Sequence, residues 1–114
     1  MKKIVFNLKR EWYDKIASGE KIVEYRKVNA YWMKRLVEGT VGNDRVFRGS
    51  TKRFDVAVFR LGYSRKYPEI VRRIINIDIG PCPYDGWSGE YFRIHFEGVE
   101  NRVVKARKMK GGVK

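Results

Sequence analysis

Six of the ten residues at positions 70–79 are isoleucine or valine: Ile70, Val71, Ile74, Ile75, Ile77 and Ile79. β-Branched side chains are stiff at χ1 and pack well on a pleated surface, so the run predicts a central strand. Arg72, Asn76 and Asp78 are expected on its alternate face, where one or more could look into a pocket. Three other segments alternate in the same manner. Residues 3–8 place Ile4, Phe6 and Leu8 on one face. Residues 55–61 set Val56, Val58 and Arg60 against Ala57, Phe59 and Leu61. Residues 91–96 turn Phe92, Ile94 and Phe96 inward and Tyr91, Arg93 and His95 outward, which makes His95 a surface residue rather than a catalytic one. Residues 22–26 supply a fifth strand.

Two segments follow the helical period instead. In 11–18, Trp12 and Ile16 are four apart, as are Tyr13 and Ala17, and Trp12 is expected in the core. In 31–38 the pairs are Trp32 with Leu36 and Met33 with Val37, and Gly39 closes the helix. Five strands and two short helices in 114 residues predict a single α+β domain. A small mixed β-barrel closes that number of strands without long free edges, and an OB-like barrel satisfies the count equally. The domain is placed at 1–100. Residues 101–114, with no acid and with Arg102, Lys105, Arg107, Lys108, Lys110 and Lys114, are expected to form a partly flexible basic tail.

Charge narrows the partners. Lysine and arginine number 26 against 13 acids, a net charge of +13, and nucleic acid is the commonest partner of such an excess. One cysteine, Cys82, and one histidine, His95, exclude an internal disulfide and give no ligand set for a metal. No cofactor is implied. The apolar run after Met1 is too short for a signal peptide and no span approaches bilayer thickness, so a cytoplasmic protein with no membrane partner is expected.

The junction at 18–26 concentrates the chemistry. Gly19 suits the left-handed position after a helix. Beyond it, Ile22, Glu24 and Arg26 fall on one strand face and Val23 and Tyr25 on the other, with Lys21 on the turn. Gly19-x-Lys21-x-x-Glu24-x-Arg26 resembles the G-x-K-x-x-E-x-R motif of ASCH domains. The likeness extends to Phe6-Asn7-Leu8 and residues 12–18, and Phe59-Arg60-Leu61-Gly62-Tyr63 resembles a strand end of phage-type members. It implies a PUA-like barrel that recognises RNA in connection with translation or RNA metabolism. Some members hydrolyse an acetylated cytidine nucleoside through a lysine at the position of Lys21, and others are described as ribonucleases. The amidohydrolase branch has threonine where this chain has Glu24, and it uses a later acid for which only Asp78 is available here.

Three functions follow as alternatives. An RNA-binding module would use Lys21, Glu24, Tyr25 and Arg26, with Arg60, Tyr63, Arg65 and Lys66 supplying stacking and phosphate contacts from the 62–68 loop. A hydrolase acting on RNA or a modified nucleoside would use Lys21 and Glu24 as its catalytic pair. A basic interaction domain would instead meet an acidic protein. The loop at 40–54, with Arg45, Arg48, Lys52 and Arg53, suits a phosphate-contacting flap, or else a solvated loop. Tyr84 and Trp87 in the 80–89 loop are either stacking residues or a lid folded onto the core.

Overall fold

A computed structural model describes residues 1–38, 50–64 and 66–98, with the backbone alone for Ser50. The chain runs β1 (Lys3–Leu8), α1 (Arg10–Ser18), β2 (Val23–Lys27), α2 (Ala30–Leu36), β3 (Val37–Glu38), β4 (Ser50–Thr51), β5 (Val56–Leu61), β6 (Ile70–Pro81) and β7 (Glu90–Phe96). Five strands form one mixed sheet in the order β1-β5-β6-β7-β2, and β3 pairs with β4 in a separate ribbon. Only β1 and β5 run parallel. The second helix ends two residues earlier than its periodicity predicts, because Val37 and Glu38 leave it to pair with Thr51 and Ser50. The expected basic tail, Arg65 and most of the 40–54 loop lie outside the described residues.

The sheet is open, which corrects the expectation of a closed barrel. Its edges, β1 and β2, are not joined by a backbone ladder. A side chain crosses the seam instead: Arg26 Nη2 of β2 donates to the carbonyl of Asn7 on β1 at 3.1 Å. Phe6 and Trp32 fill the space beneath it, their rings 5.4 Å apart.

One face of the sheet carries the core. Phe6, Phe59, Phe92, Ile94 and Phe96 are fully buried there with Ile16 of α1 and Leu36 of α2. The alternation in β1, β5 and β7 reads correctly, and β6 does not. Its pairing with β7 passes from Ile74↔Phe96 to Asn76↔His95, so that Ile75 is an extra, bulged residue. One added residue reverses the parity of everything beyond it. Ile70 and Arg72 face inward before the bulge, and Ile77 and Ile79 face inward after it, opposite Ile94 and Phe92. Arg72, Asn76 and Asp78 therefore do not share a face. Arg72 is buried and donates to the carbonyl of Ile16 at 3.4 Å, close to the negative end of α1. Asp78 lies on the outer face.

Candidate functional site

The end of α1 sets the position of Lys21. Gly19 adopts φ 89° and donates its N–H to the Ile16 carbonyl, stopping the helix. The N–H of Lys21 then returns to the Lys15 carbonyl at 3.0 Å. This pins the backbone of Lys21 over the last helical turn, and its side chain reaches back along the flank of α1 toward Trp12. Two residues later β2 begins, antiparallel to β7, with Glu24 opposite Ile94 and Arg26 opposite Phe92. Both partners are core residues, so Glu24 is carried into the interior by the strand register.

A carboxylate is tolerated there because both oxygens are taken. Lys21 Nζ lies 3.2 Å from Oε1. Arg26 grips Oε2 with Nη2 at 2.7 Å and Nε at 2.8 Å. The three charged tips expected at the helix-to-strand junction do converge. They differ in access: the side chains of Lys21 and Glu24 are 6% and 7% exposed, that of Arg26 21%.

Rings surround both cations. Lys21 Nζ sits 5.0, 5.1 and 5.3 Å from the ring centres of Trp12, Tyr25 and Tyr84, and it also contacts the Tyr84 hydroxyl at 3.3 Å. The Arg26 guanidinium lies 5.0 Å from Phe6 and 5.1 Å from Trp32. Aromatic faces attract cations electrostatically, most strongly where water is excluded. Burial nevertheless holds the Lys21 pKa below the ordinary lysine value, assisted by Arg26 and opposed by Glu24. Burial also raises Tyr25 and Tyr84, which keeps both phenols neutral. Trp87 packs on Trp12, Tyr84 and Tyr91 at 6.4, 5.6 and 5.5 Å. The 80–89 loop thus folds back as a cover, and Tyr91, read from the sequence as outward, is buried beneath it.

The remaining sequence candidates lie elsewhere. Arg60, at the end of β5, pairs with Glu69 through Nε. Tyr63 and Lys66 are exposed on the following loop. Arg60 and Tyr63 line a cavity of about 290 Å³ together with Asn7, Ser64, Tyr67 and Glu69. Lys52 and Arg53, the described part of the 40–54 loop, line a wider groove of about 1300 Å³ with Arg73, Phe54 and Ile75.

Asp78 does not approach Lys21. It accepts from Arg93 at 2.8 and 3.0 Å and contacts His95 Nε2 at 3.1 Å. The Arg93 hydrogen bonds are the main reason its pKa is lowered. The guanidinium lies across Gly80, where any side chain would collide with it. His95 is half-buried in this outer-face group rather than free on the surface.

Sequence reasoning grouped Tyr25 with Lys21 but did not bring Trp12 and Tyr84 to it, nor Arg26 to β1. Trp12 carried a signal, since it lies one turn before Ile16 on the helix whose end holds Lys21. Nothing local marks Tyr84, which is 63 residues away from Lys21. No family model, curated protein or solved structure matches the chain. Among the described residues, no group of His, Cys, Asp and Glu side chains could hold a metal ion, and no helix is long and apolar enough to cross a membrane.

Proposed function

We propose that this chain is an RNA-binding module related to the ASCH domains, with PUA-like strands left open at the β1–β2 seam. The observation that carries the reading is the placement of Lys21 and Arg26 on the two oxygens of one buried Glu24, each cation backed by aromatic rings. Glu24 fixes the guanidinium, and Arg26 presents its exposed side as the planar contact for phosphate or a base acceptor. Lys21 holds Glu24 from the opposite side. The +13 charge and the groove lined by Lys52, Arg53 and Arg73 provide a path for a phosphate backbone.

Fluorescence anisotropy with labelled single-stranded RNA, and with polyaspartate as the control polyanion, tests this. RNA should bind more tightly than polyaspartate. The logarithm of affinity should fall linearly with the logarithm of salt concentration, with a slope of roughly −0.7 per phosphate contacted. Equal affinity for polyaspartate would point to an acidic protein partner. Arg26→Met should weaken RNA binding at every salt concentration.

The second reading is a hydrolase acting on RNA or an acylated nucleoside, and the lowered pKa of Lys21 favours it. A buried amine that gives up its proton more readily than an ordinary lysine is a better base or nucleophile, and Glu24 lies 3.2 Å from it. Lys21→Arg separates the two readings, because an arginine cannot deprotonate. RNA binding that survives the change fits the module, whereas product formed by the wild type and lost in this variant fits the enzyme.

A further inference from the structure

We infer that the cavity at the ends of β1, β5 and β6 is a recognition site for a single guanine base, supplying the RNA module proposed above with base preference. The cavity lies beside the Lys21–Glu24–Arg26 cluster but is built from other side chains. Its volume of about 290 Å³ is at the lower limit of small-molecule sites, room for one base with its sugar and too little for a polypeptide segment.

The floor is a row of hydrogen-bonding groups. Asn7 and Arg60 stand opposite each other across the parallel β1–β5 pair. Arg60 in turn directs its Nε to Oε2 of Glu69. That pairing fixes the guanidinium plane and leaves its two Nη groups and Glu69 Oε1 without another hydrogen bond among the described residues. Two donors and a carboxylate acceptor are therefore offered side by side. The carboxylate disfavours a bare phosphate as occupant.

Guanine presents the complementary pattern, with O6 and N7 as acceptors and N1–H and N2–H₂ as donors on adjoining edges. Arginine pairs with O6 and N7, and a carboxylate pairs with the two donors. Adenine and uracil each leave part of this set unmet, and cytosine, which meets it through O2, N3 and N4–H₂, offers one donor group where guanine offers two and has no second ring to stack. The walls suit a flat ring. Tyr67 has Arg10 over one face at 4.7 Å and the edge of Tyr13 at 6.5 Å, and it is 40% exposed. Tyr63 is 92% exposed on the rim, an aromatic side chain with little protein packed on it, as a stacking partner requires. Residue 7 joins the two sites, because its carbonyl receives Arg26 while its side chain lines the cavity.

The test measures anisotropy of four uridine-rich octamers that differ only in a central G, A, C or U, at one salt concentration. The guanine octamer should bind at least about tenfold more tightly than the adenine one. Inosine, which lacks the N2 amino group, and 7-deazaguanine, which lacks N7, should each lose most of that ratio. Glu69→Gln and Arg60→Met should reduce the ratio toward unity. The base analogues leave the protein untouched, so the result does not depend on the variants folding. Equal binding of all four octamers overturns the guanine site and leaves the RNA reading standing. A guanine preference that survives both variants also overturns it, as does inorganic phosphate competing as well as guanosine monophosphate. Failure of every octamer to bind overturns both readings.

Discussion

Glu24 is held by two cations of opposite accessibility, and the consequences of altering each differ. Removing its charge leaves Lys21 and Arg26 facing each other in the interior with no negative charge between them. Breaking one side of a buried ion pair typically costs about 3–5 kcal/mol, so Glu24→Gln should lower unfolding stability by about 3 kcal/mol in urea titrations. A loss under 1 kcal/mol would mean that solvent reaches the group. Lys21 is the proton-linked member. Its native pKa is lowered, so between that value and the ordinary lysine value of about 10.4 the unfolded chain holds a proton that the folded chain has released. Stability from this group therefore rises with pH through that window. The stability difference between the wild type and Lys21→Met should grow in favour of the wild type from neutral pH to about pH 10. A difference independent of pH would place the ammonium in ordinary hydration. Since Lys21 is buried and bonded on two sides, its loss should affect folding as well as any binding.

At the scale of elements, helix ends and strand faces were legible, and contacts between distant elements were not. Gly19 follows from the short helical period and the absence of a Cβ, and it stands where expected at φ 89°. Asn29 caps α2, its side chain accepting from the Trp32 N–H at 3.0 Å. Asn29→Ala should cost about 1 kcal/mol, read as a lower urea midpoint with unchanged slope. The inward faces of β1, β5 and β7 were readable because strict alternation survives wherever pairing is regular. In β6 it fails at Ile75, since a bulge is a property of two paired strands and leaves no mark in one of them. The inward position of Arg72 was missed for that reason. Asp78 keeps the face opposite Ile77 and Ile79, and its partner Arg93 lies 15 residues away on β7.

For the whole molecule, counting strands gives the size of the sheet but not its closure. Whether two edges meet depends on twist and on what fills the seam, and here Arg26, Phe6 and Trp32 occupy it. The grouping of Lys21, Glu24 and Arg26 was visible because all three lie within six residues on one turn and strand. Arg60 and Tyr63, grouped with them by chemistry alone, line a cavity to which none of the three contributes. The bulge in β6 has one more consequence. The partners already run from Ile74↔Phe96 directly to Asn76↔His95, so excising Ile75 would leave a regular ladder with Ile77 and Ile79 still inside and Asp78 still outside. A codon lost at this place would spare both faces of the strand, whereas one inserted beside it would need a second bulge to keep them.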